Sequence, residues 1–210
     1  CTRIARMSCA PCAVSGTTPF RRRNPLALNR RSYVEFLKFP KIPRWSREII
    51  ITEKIDGTNG CIFIGEDGEF LTGSRSRWIT PDTDNHGFSR WAHENKADLL
   101  KLGPGTHFGE WWGAGIQRRY GLTEKRFSLF NTSRWGDKAV RPACCHVVPV
   151  LFQGMMRPGA IEDTCLDLAE YGSRAAPGFM EPEGVVLFHV AGRLLFKKTL
   201  KKDEAPKSQG

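Results

Sequence analysis

Apolar positions along this chain come in short blocks separated by glycines and polar turns. Residues 48–54 (EIIITEK), 61–66 (CIFIGE) and 69–75 (EFLTGSR) are β-branched or aromatic runs of strand length. Between them, DGTNG (56–60) and DG (67–68) are hairpin-type connections. Residues 88–103 (FSRWAHENKADLLKLG) carry apolar side chains at helical spacing and stop at a glycine, which predicts one helix. THFGEWWG (106–113), RFSLFN (126–131) and CHVVPVLFQG (145–154) predict strands, and AIEDTCLDLAEYGSRA (160–175) predicts a second main helix. PEGVVLFHV (182–190) and RLLFKKTL (193–200) flank Ala191-Gly192 and predict a hairpin. Many short antiparallel strands with few helices define an α+β domain. Trp111 and Trp112 stand on adjacent strand positions and so face opposite sides, which suits packing better than base recognition.

The 210 residues suffice for one sizeable core. No apolar run is long enough to span a bilayer, and no signal-peptide segment stands at the front. The expectation is a soluble, intracellular protein, cytoplasmic unless the N-terminus directs it to an organelle. The net charge is +10, but residues 1–34 hold seven arginines (Arg3, Arg6, Arg21, Arg22, Arg23, Arg30, Arg31) and no acid; +10 less these seven leaves +3 for the remainder. Residues 1–32 therefore read as a disordered basic extension, whether a nucleic-acid arm, a transit peptide or upstream sequence before Met7. Residues 33–203 read as the folded domain and 204–210 as a polar tail. Of the seven cysteines, Cys9 and Cys12 form a CxxC and Cys144 and Cys145 adjoin His146. A zinc site could be drawn from these two clusters. Cys144 and Cys145 would point apart on a strand, so reduced thiols in a reducing compartment are preferred.

Charged residues end or interrupt otherwise apolar strands: Lys54, Arg75 and Arg77, Glu110, Glu183, Lys197 and Lys198. A sheet excludes charges unless they are paired or used. Groups of both signs aimed into one cleft suit a phosphorylated ligand and a metal. Each alone reads equally as a solvated strand end.

Taken in order, the blocks resemble the boxes of the covalent nucleotidyltransferase superfamily of polynucleotide ligases and capping enzymes. EKIDGTNG (53–60) is similar to the lysine signature and LTGSRSRW (71–78) to the arginine segment. HFGEWWG (107–113) is similar to the Phe-Gly-Glu box and RFSLFN to the aromatic box. PEGVVLF (182–188) is similar to the Glu-Gly-Val box and LLFKKTL (194–200) to the closing lysine box. The resemblance covers residues 33–203. Asn59, five residues after Lys54, resembles RNA ligases of the phage-type double-strand-sealing branch, where DNA ligases and capping enzymes usually carry Arg.

The resemblance implies an antiparallel-sheet nucleotidyltransferase (adenylation) domain, ATP-grasp-like, acting as an ATP-dependent RNA ligase. Lys54 would attack the α-phosphorus of ATP, AMP would pass to a 5′-phosphate end, and a 3′-hydroxyl would displace it. Such steps depend on positioning and charge stabilisation. A lysine, with a reference pKa of about 10.4, needs nearby positive charge or burial to become a nucleophile. Lys197, Lys198, Arg75 and Mg2+ (or Mn2+) would supply that charge, and Asp56 would oppose it. Glu53 and Ile55 would flank the lysine near the adenine, and Asn59 would contact the nucleotide. Arg75, or Arg77 on the same strand face, would reach phosphate or ribose. Glu110 would accept from ribose hydroxyls and Phe130 would stack on adenine, worth about 1–3 kcal/mol. Glu183 would hold the metal and Lys197 the α-phosphate. The partners implied are nucleic-acid ends, RNA preferred, as a nicked duplex or a single strand; no membrane is implied.

The sequence departs from the family in two places. Asn131 follows Phe130 where the family often has Asp, and Lys197-Lys198 replaces a lysine-spacer-lysine. With no segment after the closing box for a further substrate-binding domain, the expectation is a monomeric bare catalytic domain. An accessory protein or the Arg-rich extension would then help it bind substrate. The alternatives are a minimal ATP-dependent DNA ligase, a nucleic-acid-binding module with a degenerate site, and an enzyme that passes AMP to another acceptor.

Overall fold

The computed structural model describes residues 35–201 and 203. The basic extension with its CxxC and the polar tail lie outside the described residues. Residues 41–201 and 203 belong to one compact unit; residues 35–40 belong to another and carry no helix or strand.

The larger unit is built on two sheets. Four strands pair antiparallel in the order β10 (Leu194–Thr199), β9 (Gly184–His189), β1 (Glu48–Lys54) and β8 (Val150–Met155). Six strands form the second sheet in the order β4 (Trp78–Ile79), β3 (Phe70–Gly73), β2 (Thr58–Ile64), β5 (Gly105–Gly113), β6 (Lys125–Leu129) and β7 (Cys145–Val147). Only β6 and β7 run parallel among these pairs. The architecture is α+β, as the pattern predicts.

Alternation gives each sheet two faces. Ile49 and Ile51 of β1, with Val185 and Leu187 of β9, bury against Ala160, Cys165 and Leu168 of helix α4 (Ala160–Tyr171). Ile62, Phe127 and Leu129 bury against Phe88 and Ala92 of α1 (Phe88–Glu94) and against Leu99 and Leu102. Trp111 joins that core, whereas Trp112 packs with Ile55, Tyr120, Val148 and Ala176. The two tryptophans do face opposite ways, both as packing.

Three local expectations need correction. DGTNG is not a hairpin: β1 and β2 lie in different sheets, and residues 55–57 carry the chain from one to the other. An apolar run identifies a strand but not the sheet it joins. The helix over 88–103 breaks at Asn95 into α1, α2 (Lys96–Leu99) and a 3-10 turn, Leu100–Leu102. Asn95 leaves helical geometry, and its side-chain amide donates to the Trp91 carbonyl. CHVVPVLFQG is two strands, β7 and β8, in different sheets. Pro149 lies between them, lacking the N–H a central strand needs. The single-turn helix α3 (Thr132–Trp135) has no counterpart in the predicted pattern.

Strand β7 begins at Cys145, so the adjacent thiols are not held apart; the Cys144 and Cys145 Sγ atoms approach to 3.9 Å. Cys61, Cys144, Cys145 and Cys165 are free thiols. Among the described residues no three His, Cys, Asp or Glu side chains converge on a metal position, and no helix is long and apolar enough to cross a membrane.

Candidate active site

A cavity of about 790 Å³ opens between the sheets. Ile50, Thr52 and Lys54 of β1, Val186 and Phe188 of β9, and Leu195 and Lys197 of β10 line one wall. Asn59 of β2, Phe108 and Glu110 of β5, Arg75, and the turn from Phe130 into α3 line the other. Alternation selects the first set: Lys54 shares a face with Thr52 and Ile50, while Ile49 and Ile51 point back toward α4 and Glu53 toward residues 173–175.

Lys54 is largely buried, and its Nζ lies 2.5 Å from Glu183 Oε2. The register places them together, because Lys54 pairs with Gly184, the residue after Glu183. A side chain at Gly184 would collide with the Lys198 carbonyl, and its φ is +155°, so the Glu-Gly pair is fixed by backbone packing.

Asn59 and Glu110 are direct cross-strand partners. The Asn59 amide donates to Glu110 Oε2 at 3.2 Å, and the Gly57 N–H donates to Oε1 at 3.1 Å. Glu110 is buried, and that burial pushes its carboxyl up to about 7 against the opposing pull of Lys54 and the Gly57 N–H. Gly57 is needed because a Cβ there would meet the Trp111 carbonyl at 2.5 Å.

The structure places the members of each candidate pair differently. Arg75 lines the cavity and Arg77 lies outside it. Lys197 lines it, while Lys198 is on the opposite face of β10, with its Nζ 3.9 Å from Asp203. Phe130 lines the cavity with 41% of its surface exposed. Ile55 contributes to the lining from a buried position among Trp112, Tyr120 and Val148. Glu53 borders the cavity, but its carboxylate turns away. It accepts from Ser173 Oγ at 2.6 Å, the Arg174 N–H at 2.8 Å and the Ala175 N–H at 2.9 Å. Burial raises its pKa while these donors lower it. Asn131 caps α3, its Oδ1 accepting from the Arg134 N–H at 3.1 Å.

The loop between β5 and β6 carries contacts that the strand and helix pattern does not point to. Arg118 Nε donates to Asp56 Oδ2 at 2.9 Å and its Nη1 to the Glu181 carbonyl at 3.0 Å. The Tyr120 hydroxyl accepts from the Asp56 N–H at 2.8 Å. The loop therefore grips the segment just after Lys54 and balances the Asp56 charge. Gln117, Arg119 and Tyr120 all have positive φ, a strained geometry that neighbouring packing must hold. The run GAGIQRRYG (113–121), with three glycines around basic residues, was the available signal.

The fold and the site define a two-sheet domain with a half-buried lysine on the wall of a nucleotide-sized cavity. The chain belongs to the RNA ligase family, whose model matches residues 47–201. No curated protein matches it. Among solved structures it is similar to RNA ligases of Naegleria gruberi. A variant with ATP and Mn is 19% identical with a TM-score of 0.56, covering 76% of this chain and 52% of that one. An apo variant is 20% identical with a TM-score of 0.54, covering 73% and 50%. A form with AMP and Mn is 19% identical with a TM-score of 0.54, covering 74% and 50%. At this identity the likeness establishes the fold, and the chain spans about half the length of these proteins.

Proposed function

We propose that this protein is an ATP-dependent RNA ligase that joins 5′-phosphate and 3′-hydroxyl ends, with residues 33–203 as its catalytic domain. The observation that carries the reading is Lys54 Nζ held at 2.5 Å by Glu183 inside the cavity, within a chain of the RNA ligase family. The similar Naegleria proteins were solved with ATP, AMP and Mn, which supports ATP and a divalent cation here.

Lys54 Nζ forms a bond to the α-phosphorus as the bond to pyrophosphate breaks, and the Nζ proton passes to solvent in the cavity. Glu183 orients Nζ toward the cavity before that step. Lys197 and Arg75 on facing walls hold the phosphates. Asn59 and Glu110 face the ribose, where protonated Glu110 can donate and the carboxylate can accept. Phe130 stacks on the adenine, and Ile55 and the backbone at Glu53 close the pocket behind it. The AMP then moves to the 5′-phosphate, forming a phosphoanhydride as the lysine bond breaks. The 3′-hydroxyl displaces AMP and the phosphodiester forms. No protein cage for a metal exists among the described residues. This donor set fits Mg2+ or Mn2+ held by a carboxylate with phosphate and water, and Glu183 is the residue to hold it. Such a cation would neutralise phosphate charge.

RNA rather than DNA is proposed from Asn59 and the family. Monomeric action inside the cell, in the cytoplasm, with substrate held partly by an accessory protein or a basic segment, completes the reading. Intact-protein mass after incubation with ATP and Mg2+ tests it. Wild type gains one AMP and Lys54→Ala does not. Wild type that stays unmodified with both Mg2+ and Mn2+, after removal of bound AMP, ends the ligase reading.

A further inference from the structure

The cavity-facing side of the six-stranded sheet does not end at the nucleotide pocket. Cross-strand register aligns Trp78, Gly73, Cys61 and Phe108 in one row across β4, β3, β2 and β5. Phe63, two residues along β2, lies on the same face. Trp78 is 55% exposed and Phe108 57% exposed. Two large aromatics this open on one sheet face make an exposed apolar patch.

Trp78 is not loose on this face. A Cβ added at Gly73 would lie 3.1 Å from the Trp78 ring, so the ring rests on the glycine backbone. Phe63 meets it edge-on, the centroids 6.2 Å apart. The indole is thus held from beneath and from one side, with much of its surface open to solvent. Its flanks are basic. Arg75 and Arg77 are exposed in the turn just before it, and neither forms an ion pair with a described residue. Phe108 and Arg75 also line the nucleotide cavity, so the aromatic row is continuous with it.

Aromatic faces beside unpaired arginines, continuous with a nucleotide site, match a single nucleic-acid strand. Bases stack on the rings while the arginines meet phosphates. A protein partner would be expected to bring carboxylates to both arginines and to cover the whole row; the sequence-tolerant stacking surface favours the strand. We propose that Trp78, Phe63 and Phe108, with Arg77, form the docking track for the unpaired RNA strand whose 5′-phosphate enters the Lys54 cavity. This rests on the ligase reading. It adds that the strand is recognised unstacked and passes over β4 and β3.

The probe is a 5′-phosphorylated single-stranded RNA hexamer, titrated against the full chain with indole fluorescence and anisotropy. AMP uptake by mass runs in parallel. Trp78→Ala should take up AMP as wild type does and bind the hexamer about tenfold more weakly. Trp78→Phe should recover most of that loss, because the ring and not the indole N–H carries the contact. Arg77→Ala should reduce the slope of log K against log salt by about one phosphate contact. A blunt RNA duplex, whose bases stay stacked, should bind wild type and Trp78→Ala alike. Equal hexamer binding by wild type and Trp78→Ala overturns the track while leaving the ligase intact. So does a loss of the same size with the duplex. Failure of wild type to take up AMP strikes the ligase reading instead.

Discussion

Two buried glutamates stand on opposite sides of Lys54 and are treated differently. Glu53, on the back of β1, has its carboxylate fully enclosed by one hydroxyl and two backbone N–H groups of residues 173–175. Glu110, on the cavity wall, receives only Gly57 N–H and the Asn59 amide, both at longer range, and burial lifts its pKa to about 7. A buried charge whose oxygens are saturated belongs to the scaffold. A buried charge left short of donors is ready for a ligand to complete it. The Glu53 side chain thus anchors a loop, although its sequence position beside the lysine suggests ligand contact.

The largest effect should separate these two. Glu53→Ala strands three donors in a buried site and should cost about 3 kcal/mol or more of unfolding free energy. Glu110→Ala removes an under-solvated carboxylate and should change stability by less than about 1 kcal/mol, while weakening ATP affinity at least about tenfold. Urea unfolding and ATP titration of both variants measure this. Equal stability losses would erase the distinction.

Proton linkage sharpens the same contrast. The Glu110 pKa rises from 4.5 to about 7 on folding. Between those values the native protein holds more protons than the unfolded chain, so stability falls as pH rises. The contribution is fully present below pH 4.5 and lost as pH passes 7, amounting to about 3 kcal/mol at most. Unfolding free energies of wild type and Glu110→Gln at pH 5 and pH 7.5 test it: the difference between them should shrink with Glu110→Gln.

The strand blocks, and candidates such as Lys54, Asn59 and Glu110 that line the cavity, are legible in the sequence because each box is local. EKIDGTNG holds Lys54 and Asn59 within six residues, and alternation predicts which neighbours share their face. What is not legible is pairing across distance. The Glu53 anchor lies 120 residues away at Ser173, and the Asp56 partner 62 residues away at Arg118. DGTNG has hairpin composition, yet Gly57 serves a close crossing over β5 rather than a turn. Pro149 and Asn95 carried readable break signals that the apolar periodicity outweighed.

Arg118 offers a smaller, more local break. Its pairing with Asp56 is partly exposed, so Arg118→Ala should cost no more than about 1 kcal/mol of stability. The consequence should appear in chemistry: Asp56, released from the loop, is free to swing toward Lys54. The rate of AMP uptake at saturating ATP should fall several-fold, with ATP affinity little changed. Asp56→Asn in the same background should restore part of the rate. Loss of affinity without loss of rate would assign Arg118 to the ligand instead.

The smallest effect tests whether Asn131 departs from its family in function or only in chemistry. Its side chain caps α3, the turn that carries Thr132, Ser133 and Arg134 into the cavity wall beside Phe130. Asp accepts the same N–H with similar preference, so Asn131→Asp should leave stability and ATP binding within about 0.5 kcal/mol of wild type. Asn131→Ala removes the acceptor and should cost about 1 kcal/mol, seen as a shift in the urea midpoint. If Asn131→Asp instead changed AMP uptake strongly, the residue would be acting on the ligand directly. The cap would then be secondary to that contact.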